Sequence, residues 1–85
     1  NPFNPSTTIK YAVPDPSKVR ISVFDILGRE VTELCNENKQ PGYYKVVWNA
    51  SHYASGIYFI QMNARQNDSR QTGDYVNTLK ISLIK

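Results

Sequence analysis

The chain predicts an all-β fold: a seven-stranded antiparallel sandwich of immunoglobulin or fibronectin III-like type. Three observations lead there. Apolar and polar residues alternate in short runs, turn-forming residues recur roughly every 8–12 positions, and no segment shows helical periodicity of useful length. A small closed barrel is the alternative architecture. The Cys…Trp…Cys arrangement of true immunoglobulin domains is absent, since Cys35 is the single cysteine.

Asn1-Pro2-Phe3-Asn4-Pro5-Ser6 reads as a rigid extended lead-in, because each proline fixes its own φ and biases its predecessor toward extended backbone. Thr7 to Val13 follows as a strand with Ile9, Tyr11 and Val13 on one face. Pro14-Asp15-Pro16-Ser17 forms a turn. Val19, Ile21 and Val23 then alternate with Arg20 and Ser22, the pattern of a half-buried strand. Asp25-Ile26-Leu27-Gly28 fits a type I turn, with Asp first and Gly fourth. Arg29 to Cys35 returns as a weaker strand, and Asn36 to Lys39 reads as a polar loop. Pro41 and Gly42 carry the type II turn signature. Tyr44, Val46 and Trp48 make the next inward face, and Ala50 to Ser55 is irregular. Gly56 opens a strand from Ile57 to Ala64, the polar run Asn67 to Asp74 forms an exposed hairpin loop, and Tyr75 to Lys85 closes the domain.

Eighty-five residues make one domain. A chain of this size buries about 60–65% of its unfolded surface, so stability should be on the order of 5 kcal/mol. The 40% apolar content, with Trp48, six Tyr and three Phe, suffices for one core. No apolar run approaches the roughly 20 residues of a membrane helix, so direct membrane insertion is not expected. The start at Asn1, without a signal segment, reads as a fragment of a longer protein. Ten Lys and Arg against seven Asp and Glu give a net charge of +3, spread without a run. Nucleic-acid binders concentrate such charge on one face, so a mildly basic solvated surface is the simpler reading. A lone cysteine permits no internal disulfide, and the fold must rest on its core.

The residues offer little catalytic chemistry. Asp15, Asp25, Glu30, Glu33, Glu37, Asp68 and Asp74 fall mostly in turns or on outward strand positions, and Asp25 is explained by the turn it starts. His52 is the single histidine, and its spacing to Cys35 suggests no nucleophile–base pair. One His and one Cys cannot build a structural zinc site, and no glycine-rich phosphate loop is present. The expectation is a non-enzyme without metal or cofactor. Tyr43, Tyr53 and Tyr75 lie near turns, where they would suit a sugar- or peptide-stacking surface, whereas Tyr11, Tyr44 and Tyr58 fit the core.

Four segments resemble one family. Asn1-Pro2-Phe3-Asn4-Pro5-Ser6-Thr7-Thr8-Ile9 is similar to the opening motif of type IX secretion C-terminal sorting domains, type A. Val23-Phe24-Asp25-Ile26-Leu27-Gly28-Arg29-Glu30-Val31 resembles their second motif. Ser55-Gly56-Ile57-Tyr58-Phe59-Ile60 resembles their Gly-x-Tyr strand, and Lys80-Ile81-Ser82-Leu83-Ile84-Lys85 their basic-flanked apolar end. The second motif is also similar to the immunoglobulin-like domain of the flagellar hook-capping protein. Family members usually carry Tyr-Pro ahead of the first Asn-Pro, where this chain begins.

The resemblance implies a sorting signal that directs a folded passenger across the outer membrane to the surface or medium. It implies the type IX machinery, a parent passenger and a sortase-like surface protease as partners, and the domain is expected to be a monomer. The expected recognition residues are Gly56, Tyr58, Lys80, Ile81, Ser82, Leu83, Ile84 and Lys85, while Asp25, Gly28 and Arg29 build the motif turn. In the last strand, Leu79, Ile81 and Leu83 are expected to close the core, with Lys80 and Lys85 outside to be read. The other readings are an accessory carbohydrate- or protein-binding module of a secreted hydrolase and a structural spacer.

Overall fold

The computed structural model describes residues 6–66 and 74–83. The opening Asn-Pro segment, the polar loop at 67–73, Ile84 and Lys85 lie outside the described residues, as do the side chains of Gln66, Asp74 and Tyr75. Within them the protein is all-β and antiparallel, with six strands rather than the expected seven. These are β1 (Ser6–Val13), β2 (Ser17–Phe24), β3 (Glu30–Lys39), β4 (Gly42–Asn49), β5 (Gly56–Gln66) and β6 (Asp74–Leu83). The closing segment forms one continuous strand of ten residues, paired with β5 along its whole length.

β1 and β4 form a two-stranded sheet, and the other strands form a four-stranded sheet in the order β3-β2-β5-β6. β2 is central because its inward row is β-branched and fully buried: Val19, Ile21 and Val23 are each 0% exposed. Such rows suit the pleated surface, and each side chain is worth about 2 kcal/mol when removed from water. Val13 and Trp48 from the smaller sheet join Tyr58, Ile60, Met62 and Leu83 from the larger one in a single hydrophobic cluster. At its centre the Trp48 ring meets Tyr58 edge-on at 5.2 Å and Tyr53 at 5.4 Å.

β3 departs from the sequence pattern. It continues through the polar stretch Asn36–Lys39, which pairs with Ser17–Arg20 of β2. The Lys39 ammonium bonds the Glu37 carboxylate at 2.6 Å and lies 4.8 Å from the Tyr44 ring centre. Cross-strand pairing thus overrides a composition that is poor for strands. Gly42, at φ 159°, is nearly extended and opens β4, instead of taking the smaller positive φ of a type II turn. The segment after β4 is a single turn, closed by the Tyr53 amide donating to the Ala50 carbonyl at 3.0 Å.

Candidate functional site: the β5–β6 hairpin and the motif turn

The register of β5 and β6 gathers the described recognition candidates into one ladder. Gly56 pairs with Leu83, Ile57 with Ser82, Tyr58 with Ile81, Phe59 with Lys80 and Ile60 with Leu79. Strand alternation then divides them by face. Tyr58 and Leu83, each 7% exposed, belong to the core, with Ile81 packed partly against them. The Tyr58 hydroxyl donates to the Ala54 carbonyl at 2.7 Å, so this side chain anchors the entrance to β5. Lys80 and Ser82 are exposed on the opposite face. Ile84 and Lys85, also expected to be read, lie outside the described residues.

The motif turn is built around one carboxylate. Asp25 Oδ1 accepts from the amides of Leu27 at 2.9 Å and Arg29 at 3.0 Å, while Oδ2 accepts from Arg29 Nε at 2.9 Å. The Asp25 carbonyl accepts the Gly28 amide at 3.0 Å, and the Asp25 amide donates to the Arg29 carbonyl at 2.9 Å. The Arg29 backbone bond foremost, with that side chain and the Leu27 amide, holds the Asp25 carboxyl below its ordinary range. Gly28 takes φ 83°, a left-handed conformation that disfavours side chains. Asp25, Gly28 and Arg29 thus hold the turn together through these bonds and this backbone. Beside the exposed Arg29, the turn displays two apolar side chains: Ile26 and Leu27 are 67% and 73% exposed.

Sequence reasoning missed the surface between these two parts. Phe24 pairs with Phe59, and Phe59 with Lys80, so the end of β2 leads across the outer face to β6. A depression of about 410 Å³ lies there, lined by Phe24, Asp25, Ile26, Gly28, Phe59, Gln61 and Thr78. The available signal was an apolar residue on the supposedly polar face of two strands, Phe24 and Phe59, beside an apolar pair within a turn. Farther along that face, Arg20 binds Glu30 at 2.7 Å and Glu33 at 2.6 Å.

The stacking triad of Tyr43, Tyr53 and Tyr75 does not stand as a group. Tyr53 packs against Trp48 and Tyr58 in the core cluster, and Tyr43 is 91% exposed. Tyr43 borders a second depression of about 340 Å³ with Lys10, Tyr11, Tyr44 and Lys45, and Lys10 and Lys45 are direct cross-strand neighbours. Cys35 sits midway along β3, with its Sγ 3.8 Å from the Val19 carbonyl and 3.9 Å from the Tyr11 hydroxyl. His52 lies in the exposed turn after β4. Among the described residues, no group of three or more His, Cys, Asp or Glu is placed to hold a metal, and no helix is long and apolar enough to cross a membrane.

Comparison with known families agrees with the first three motifs, while the closing Lys80–Lys85 segment lies beyond the matched residues. The family model described as secretion system C-terminal sorting domain matches residues 1–73, from the Asn-Pro opening through β5 and up to the start of β6. No curated protein and no solved structure matches the chain. The match takes in both the motif turn and the Gly56–Tyr58 strand, and the chain belongs to the secretion system C-terminal sorting domains, the family of type IX secretion.

Proposed function

We propose that this domain, of type A within its family, is the folded address of a larger exported protein, and that the surface read by the type IX machinery is the outer face of the β5–β6 hairpin with the adjoining motif turn. The observation that carries the reading is the separation of roles along β6. Leu83 is buried at 7% exposure while Lys80 and Ser82 face solvent on a strand paired throughout with β5. A receptor can read the outward residues while the inward ones keep the domain folded. The passenger then crosses from periplasm to surface behind a compact label, and a sortase-like protease removes that label once export is complete. We read the two sheets on one core as a reduced immunoglobulin-type sandwich, monomeric and without catalysis of its own. The test is a fusion of residues 1–85 to a periplasmic reporter, in a type IX-competent host and in its translocon-null derivative. Surface reporter only in the competent host supports the proposal, and equal surface display in both refutes it.

One observation favours a second reading, an accessory site for acidic glycans. Like charges directly opposite each other on an antiparallel pair destabilise it. Lys10 and Lys45 stand in that relation beside the exposed Tyr43 ring, which can stack on a sugar. Retention on an acidic polysaccharide that Tyr43→Ala abolishes would support this reading, and failure to bind any polymer would remove it.

A further inference from the structure

The two edges of the four-stranded sheet are treated differently. β3 is broken by register shifts opposite Ile21/Ser22 and Val23/Phe24, where Leu34 and Val31 are the extra residues, and it carries Glu30, Glu33, Glu37 and Lys39. Bulges and charges are the means by which natural sheets prevent their edges from pairing with other chains. β6 has neither protection along most of its length. Its ladder with β5 runs without a shift from Asp74 to Leu83, and no charge lies between Asp74 and Lys80. Among the described residues it pairs with β5 alone, and no described strand takes up the backbone groups on its other side. Half-exposed apolar side chains flank that open edge on both faces: Val76 on the outer face, 54% exposed, and Leu79 on the inner face, 50% exposed.

We infer that β6 is an acceptor edge, and that the secretion machinery engages the domain by laying an extended strand of one of its own proteins along it. The inference rests on the sorting function proposed above and gives the mode of recognition. Backbone hydrogen bonds to β6 supply affinity without regard to sequence, and side chains beside the strand supply selectivity. An apolar residue of the added strand on the inner face covers Leu79. One on the outer face lies beside Val76 and extends the Phe24–Phe59 depression. Lys80 then sits at the rim of the new interface, where an acidic partner side chain meets it.

Neighbouring strand positions direct their amides to opposite sides, so one of each pair points at β5 and the other at the open edge. Asn77→Pro and Thr78→Pro therefore remove an internal donor in one case and a free one in the other. The variant that keeps the wild-type melting transition is the free-edge variant. A second probe, Val76→Lys with Leu79→Lys, places charge on both sides of the edge at half-exposed positions. Each folded variant is predicted to reduce translocon-dependent surface export of a fused reporter at least about tenfold. Wild-type export by a folded free-edge proline variant, or by the double lysine variant if both proline variants unfold, overturns the inference. A β6-mediated dimer of the free domain in sedimentation also overturns it, because the occupant is then a second copy. If the unmodified domain is displayed equally without the translocon, the sorting reading itself fails. The two failures are thus distinguishable.

Discussion

Leu79 stands directly opposite Ile60 in the β5–β6 register, yet Ile60 is 3% exposed and Leu79 is 50% exposed. Both point to the inner face, but the shared core covers only one of them. The alternation of Leu79, Ile81 and Leu83 correctly gave the face of each residue but not the cover above it. Leu83→Ala should therefore cost about 2–3 kcal/mol and Leu79→Ala less than about 1 kcal/mol, as read from urea unfolding midpoints. Equal costs would show that the inner face of β6 is uniformly packed.

Gly28 at φ 83° has open space where a Cβ would stand, so the penalty for a side chain there is conformational rather than steric. Gly28→Ala is expected to destabilise the domain by roughly 1 kcal/mol, and Gly28→Asn by less, since Asn tolerates left-handed backbone. Chemical denaturation of both variants checks the order.

The Asp25 carboxyl is held below its ordinary pKa of 3.8, so its contribution to stability is present above that pH and is lost as pH falls through the lowered value. Asp25→Asn removes the ionisable group and should flatten the acid limb of the stability profile. Melting transitions of wild type and variant across the acid range measure the difference.

Tyr11 behaves in the opposite sense. Burial, and then its bond to Cys35, push the phenol up from 10.0 to about 12. A raised pKa in the folded state stabilises below the unfolded value and is lost as pH rises, so stability should decline between about 10 and 12. Tyr11→Phe should lessen that decline, and the Tyr11 share of phenolate absorbance should appear only near the upper limit in the folded protein.

Ser22 is 1% exposed, and its hydroxyl has no hydrogen-bond partner among the described residues. Desolvating an unpaired hydroxyl costs free energy that an apolar group of similar size avoids. Ser22→Ala should be neutral or stabilising by up to about 1 kcal/mol, and a clear loss of stability in denaturant titration would show a partner for that hydroxyl.

Much of the fold was legible because strand alternation is a local signal. The rows Val19–Ile21–Val23 and Tyr58–Ile60–Met62 announced their inward faces, and Asp25 with Gly28 announced a turn. The illegible parts depend on what lies across a strand or above it. Asn36–Lys39 is polar by composition and is a strand because β2 extends far enough to pair with it. Tyr53 sits beside a turn yet packs on Trp48, a contact 5.4 Å between ring centres that sequence distance gives no hint of. The recognition candidates mixed both kinds: the motif placed Gly56, Tyr58 and Ile81 to Leu83 on one hairpin, but only the register separates the buried Tyr58 and Leu83 from the exposed Lys80 and Ser82.

That separation makes truncation a poor probe, since removing residues 81–85 takes Leu83 out of the core together with the tail. The most direct measurement is the surface export of a reporter fused to the Lys80→Glu domain, alongside the melting transition of that isolated domain. The expected result is a melting transition unchanged from wild type with surface export reduced by about tenfold or more, because an outward charge is reversed where it is read. A folded Lys80→Glu domain that is exported as well as wild type would contradict the sorting role of this face.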